Sequence, residues 1–193
     1  PRWISRPAQA EVALNPDGTA DLAILRPPSP LDAGETYQVR SDLSDVTVLQ
    51  LRAAGADYPG WVTDRYLEAP STVTTRTLEL ASQIAAGLDN PYDVAVATTS
   101  YLRNNIEYKE SIPMLLADQE PVDWFLFDLR QGFCNYYASA EVILLRSAGI
   151  PARLAVGYAQ GERQAGSNVY LVNQRDAHAW PEVYFPDIGW VEF

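Results

Sequence analysis

One cysteine, one histidine and one methionine are all that 193 residues hold of those types. A single Cys excludes an intrachain disulfide, and one Cys with one His cannot build a zinc site unless carboxylates complete it. No D-x-[DN]-x-[DN]-G loop is present to hold Ca²⁺, so the acidic clusters read as solvated surface, and neither a metal nor a cofactor is expected. Positive charge is also scarce: 14 Lys plus Arg stand against 25 Asp plus Glu, a net charge of −11. So acidic a chain repels phosphate backbones and anionic lipid surfaces, which argues against nucleic acid as a partner. No apolar run is long enough to span a bilayer, and no charged-then-apolar leader opens the chain. The chain starts at Pro1 and stops at Phe193 inside a strand-like run, Gly189-Trp190-Val191-Glu192-Phe193, so it reads as a piece of a longer protein.

What is there suits a folded domain. Hydrophobic residues make up 47% and charged residues 20%, enough apolar surface to bury a core. Residues 1–69 read as a small β-rich segment: Asn15-Pro16-Asp17-Gly18 is a turn, Ala20 to Leu25 is a strand stopped by Pro27, Pro28 and Pro30, and Tyr37 to Arg40 and Val46 to Leu51 are further strands. Residues 70–193 form the second part. There the periodicity turns helical from about Thr74, with Ser71 or Thr72 as cap, and Gly87 and Asn90-Pro91 end this helix. A second helix is expected from Pro91 to about Asn104. Residues 108–123 contain Pro113 and Pro121 and read as a loop, whose Met114, Leu115 and Leu116 either tuck onto the core or form a mobile substrate-side segment.

The chemistry concentrates further on. Ala138, Val142, Leu145 and Ala148 mark one face of a helix that Gly149 and Pro151 terminate, which puts Cys134 at or near the helix start. Unpaired N–H groups and the positive end of the helix dipole there favour a thiolate and offer an oxyanion site. An isolated Cys is also commonly a small buried hydrophobe. Gly132, two residues earlier, suggests room for a substrate backbone beside the thiol. The only His, His178, opens a run in which His178, Trp180, Glu182 and Tyr184 alternate onto one face, and Pro181 suggests an edge strand or a bulge. Strands at Ala152 to Tyr158 and Val169 to Asn173 would bring His178 back beside the helix start, although a lone His is commonly structural. Trp124, Tyr136, Tyr137 and Trp180 are either cleft lining or packing.

Five pieces stand in register over about residues 120 to 193: Gly132-x-Cys134, Arg146-x-x-Gly149-Ile150-Pro151-x-Arg153, Gly157-Tyr158, His178-Ala179-Trp180-x-Glu182-Val183 and Gly189-Trp190. Together they resemble the signature of the transglutaminase-like superfamily. Gly34 to Tyr37 and Trp124-Phe125-Leu126-Phe127 are similar to runs in its bacterial members, whose domains lie outside the cytoplasmic membrane between transmembrane segments. The resemblance implies a papain-like (cysteine-proteinase-like) α+β core, a nucleophile helix packed on an antiparallel sheet, with Cys134 as nucleophile and His178 as general base. The family's third residue, an acid that orients the imidazole, follows the Gly-Trp strand and is expected beyond Phe193; Asp187 and Asp176 read as turn and loop residues.

Two functions follow as expectations. One is thiol-dependent acyl transfer on protein or peptide amides, by transamidation or by hydrolysis, in an extracytoplasmic domain of a membrane-anchored parent. The other is a catalytically silent extracytoplasmic domain that keeps the fold and binds peptides or proteins.

Overall fold

The computed structural model describes residues 13–14, 20–21, 32–34, 45–115 and 118–193. The chain divides into two compact units, Pro1–Val46 and Thr47–Phe193. In the first, β1 (Ala13–Leu14) pairs antiparallel with β2 (Ala20–Asp21). The strand expected from Ala20 is thus present at its first two residues. Its remainder, the turn at 15–18, the prolines at 27–30 and the stretch 35–40 lie outside the described residues.

The second unit opens on two short helices, α1 (Val48–Ala53) and α2 (Gly60–Tyr66), where the sequence suggested continuing β structure. The cause is local. Thr47 and Gln50 form a capping box, the Thr47 hydroxyl accepting from the Gln50 N–H and Gln50 Oε1 from the Thr47 N–H. Leu51 is then buried on the side of α1 that packs on α4. Next come α3 (Thr75–Ala85) and α4 (Pro91–Asn105), where the periodicity placed them. Thr74, rather than Ser71 or Thr72, caps α3 by accepting from the Thr77 N–H. Asn90 caps α4 through the Asp93 N–H at 2.9 Å, with Pro91 in the first turn.

A two-residue strand, β3 (Glu107–Tyr108), leads into the long loop, where Met114 stands 91% exposed instead of tucking onto the core. The chain re-enters through α5 (Pro121–Asp123), which passes directly into a π-helical segment, Trp124–Leu129, closed by Arg130 in the left-handed region at φ 53°. β4 (Gln131–Gly132) then runs parallel to β3. The Glu107 N–H reaches Arg130 O at 2.9 Å and the Lys109 N–H reaches Gly132 O at 2.7 Å, tying the loop before Cys134 to the end of α4.

After this clamp comes α6 (Cys134–Ser147), ended by Gly149 at φ +80°, a conformation that strains any residue with a Cβ. The remaining strands are β5 (Ala152–Tyr158), β6 (Glu162–Arg163), β7 (Tyr170–Leu171), β8 (Ala177–Phe185) and β9 (Gly189–Glu192). β5, β8 and β9 form an antiparallel sheet in that order, while β6 and β7 pair only with each other, so the strand expected over 169–173 is short and stands apart from the sheet. α6 packs on β5 and β8, and on α3 and α4. Leu80 and Ala81 of α3, Leu102 of α4, Phe125 and Leu126 of the π-helix, and Ala140 and Leu144 of α6 share one buried cluster.

β8 is central, not the edge that Pro181 suggested. The backbone bonds Tyr184 N–H to Pro151 O and Ala159 N–H to Asp176 O fix which β5–β8 pairs exchange hydrogen bonds. Pro181, opposite Leu154, falls on a non-bonded pair, so its missing N–H costs that ladder nothing. On its other side only its carbonyl is used, accepting from the Phe193 N–H at 3.1 Å.

Candidate active site

Cys134 is the first residue of α6, so its own N–H and that of Asn135 have no acceptor within the helix. The next two N–H groups, of Tyr136 and Tyr137, both turn back to Phe133 O, at 2.9 and 3.2 Å. The thiol is half-buried, and Sγ lies 3.6 Å from Asn135 Oδ1. Gly132 is buried, and a Cβ there would meet Phe125 Cε2 at 2.7 Å and Tyr136 Cβ at 3.1 Å, so packing alone requires the glycine. The glycine lets the aromatic cluster close under the loop before Cys134, where Phe125 lies 5.7 Å from Tyr136 and 5.4 Å from Tyr137, centroid to centroid. Trp124 is buried there as well, so Trp124 and Tyr136 serve packing. Tyr137 does both: its hydroxyl donates to Ile106 O at 2.7 Å, and its ring borders the cavity described next.

His178 is the second residue of β8, exposed, and opposite Gly157 of β5. Ala179, Pro181, Val183 and Phe185 are buried, whereas His178, Trp180, Glu182 and Tyr184 alternate onto the other face, as the sequence pattern suggested. The His178 and Trp180 rings are near parallel at 6.3 Å, and Trp180 leans on Gly157, where a Cβ would stand 3.0 Å from Cη2. The turn before His178 is set by Asn173 and Asp176. The Asp176 carboxylate accepts from the Asn173 N–H at 2.6 Å, and its carbonyl accepts from the Ala159 N–H. Asp176 is therefore spent on the turn, and Asp187 sits exposed in the β8–β9 turn at φ 60°.

Cys134 and His178 line one cavity of about 310 Å³. Its walls come from α4 (Thr99, Leu102) and Ile106 just after it, α6 (Cys134, Ala138, Glu141), the start of β8 and Phe193. It is mostly apolar, with a thiol and an imidazole at its border, a composition suited to nucleophilic chemistry on an uncharged carbonyl. Glu141 is the residue that sequence reading missed. It is 4% exposed, two helical turns from Cys134 on the same side of α6, and its Oε1 is 2.5 Å from the Thr99 hydroxyl. Its spacing of seven from Cys134 was the available signal, masked by the habit of reading helical glutamates as solvated. Among the described residues no group of three or more metal-binding side chains comes together.

Comparison with known proteins gives the family. The family model of the transglutaminase-like superfamily core matches residues 78–193. YebA of Bacillus subtilis (strain 168) is 38% identical over 157 residues, which are 78% of this chain and 21% of that protein. A protein-glutamine gamma-glutamyltransferase of Pseudomonas aeruginosa is 37% identical over 127 residues, 66% of this chain and 19% of that protein. Among solved structures, the periplasmic domain of TgpA from Pseudomonas aeruginosa matches with a TM-score of 0.63 at 35% identity, over 72% of this chain and 48% of that one. The chain thus spans about a fifth of the length of the curated relatives it matches. The fold is the papain-like α+β core that the motifs implied. With a family match over more than half its length and relatives at these identities, the chain belongs to the transglutaminase-like superfamily.

Proposed function

We propose that this domain transfers acyl groups from amides of proteins or peptides through Cys134 and His178. One observation carries the reading: the only Cys opens a helix, the only His opens the central strand, and both border one cavity. The thiolate of Cys134 attacks the amide carbonyl, and the N–H groups of Cys134 and Asn135 are placed to receive the developing oxyanion. The C–N bond breaks, the His178 imidazolium gives its proton to the departing amine, and a thioester remains. A primary amine or water then attacks the thioester, His178 takes up the proton released, and the thiolate leaves.

Transamidation of a glutamine side chain is the version favoured here, because a relative at 37% identity is a protein-glutamine gamma-glutamyltransferase. The likeness to a periplasmic domain supports an extracytoplasmic place for this one, and a membrane-anchored parent belongs to the same proposal. The test is incubation with a small glutamine amide donor and a fluorescent primary amine. Coupled product that disappears in Cys134→Ala supports transfer. Hydrolysed donor without coupling indicates an amidase, and neither, from a folded protein that still binds donor, indicates a silent binding domain.

A further inference from the structure

The sheet has a bare edge beside this site. β5 is its outer strand, and Leu154, Val156 and Tyr158 are exposed at 45%, 73% and 62%. The ladder bonds to β8 fall at Pro151, Ala159 and the odd positions between, so the N–H and C=O groups of Leu154, Val156 and Tyr158 point away from β8. Among the described residues no strand pairs with them. The usual protections of an edge are missing too: β5 carries no proline and no lysine, and its one charged residue with an ion-pair partner, Arg153, is turned to Glu182 on the other face. Direction matters as well. α6 is about 21 Å long, and β5 returns along it from Gly149, so the Tyr158 end lies at the level of Cys134, with Gly157 opposite His178.

We infer that the β5 edge takes up an extended segment of the substrate protein as a fourth strand, with apolar side chains at alternate positions meeting Leu154, Val156 and Tyr158. This rests on the acyl-transfer reading for the identity of the partner and on the edge alone for the mode of binding. Main-chain bonds to a bare edge recognise any extended chain, and pockets at every second residue select its side chains. A strand added here lies two strand spacings, about 10 Å, from the backbone of His178, which delivers the residues flanking the reacting amide. A second copy of this chain fits worse on two counts. Each copy carries a net charge of −11, and a strip about 23 Å by 10 Å, roughly 230 Å², falls well short of the roughly 800 Å² per partner of a stable dimer. The same charge favours a neutral or basic segment over an acidic one.

Hydrogen exchange on Cys134→Ala tests the binding without requiring any turnover. The probe is a ten-residue peptide alternating valine and threonine around one glutamine, with a serine–glycine peptide of equal length as control. At saturation the Val156 and Tyr158 amides are expected to slow about tenfold or more, as amides do on entering a ladder, while Ala155 and Gly157, already bonded to β8, stay as they were. Val156→Pro deletes one outward N–H without removing a bond to β8, and is expected to weaken binding about tenfold. Val156→Lys, which keeps the N–H and charges the edge, is the second variant should proline disturb the strand, and is expected to weaken it similarly. No binding by about 1 mM peptide, unchanged exchange at Val156 and Tyr158, or equal binding by the control overturns the inference. Protection that rises with protein concentration in the absence of peptide also overturns it, by showing self-association. Absent turnover by the wild-type protein, with these amides protected in Cys134→Ala, would refute the acyl-transfer reading and leave the edge as a peptide-binding strand.

Discussion

The Thr99 hydroxyl lies 2.5 Å from Glu141 Oε1 and 3.0 Å from Ala95 O, with one proton to share between two acceptors. Thr99 is the donor in both contacts, so its single proton cannot serve Glu141 and Ala95 O fully at once. Burial pushes the Glu141 carboxyl up to about 7, against the opposing pull of the Thr99 bond and the Arg103 charge. Between the ordinary carboxylate value and about 7 the folded state therefore binds more protons than the unfolded chain, so stability falls as pH rises through that window.

Stability measured by urea unfolding is thus expected to drop between pH 5 and pH 8 by up to about 3 kcal/mol from this group. Glu141→Gln should flatten that slope and leave the protein more stable than the wild type at pH 8. Parallel slopes for the two proteins would show that Glu141 is not the group responsible.

Arg76 governs the opposite limb. Its guanidinium donates from Nε to Asp123 Oδ1 at 2.7 Å and from Nη2 to both Asp123 and Asp128, while Thr74 donates to the same Asp123 oxygen. These bonds, led by Arg76, hold the Asp123 carboxyl below the usual aspartate range. Their stabilisation is complete above that range and is lost as pH falls through the depressed value. Arg76→Ala is expected to lower the melting temperature at pH 7 by a few degrees, with a smaller difference in strong acid, as followed by circular dichroism.

Gly132→Ala should cost stability and reactivity together. The added methyl meets Phe125 Cε2 at 2.7 Å, so ring or loop must shift, at about 1–3 kcal/mol. Because the loop carries Cys134, its alkylation by iodoacetamide should slow relative to the wild type. Phe125→Leu in the same chain should recover part of the stability, and no recovery would place the strain elsewhere.

For the proposed chemistry, Cys134→Ala is expected to abolish coupling of donor to amine. His178→Ala should lower kcat/KM by about 10²–10⁴ with the melting temperature nearly unchanged, since the ring is exposed at the end of its strand. A His178→Ala enzyme of wild-type rate would remove the imidazole from the mechanism.

What the sequence revealed about this fold was local. The α3, α4 and α6 helices announce themselves through apolar spacing and through Asn90, Pro91 and Gly149, whose roles depend on neighbours within a turn. Val48 and Leu49, apolar in succession, suggest a strand where α1 stands, and the capping pair Thr47 and Gln50 outweighs them. Pro181 misled because its effect depends on which side of β8 each ladder bond falls, a property of register rather than of residue type. Cys134 and His178 were legible as a pair only through motif order, since their shared cavity depends on contacts between segments 44 residues apart (178 − 134). The π-helix at Trp124–Leu129 has no pattern that spacing alone distinguishes from an ordinary helix, and the seven-residue spacing of Glu141 from Cys134 shows a shared helix face but not burial.

The short parallel pairing of β3 with β4 has a consequence for how this domain tolerates change. Glu107 and Tyr108 sit beside Gln131 and Gly132, so the intervening chain leaves and returns through a single closed neck just before the thiol. The outer part of that excursion, around Met114, is exposed and is joined to the strand before Cys134 only through this neck and the buried π-helix. Lengthening a loop already closed at its base adds little entropy cost, about 0.6 kcal/mol per doubling. The excursion near residue 114 is therefore the place to graft an epitope, a fluorophore or a new recognition loop while Cys134 keeps its position.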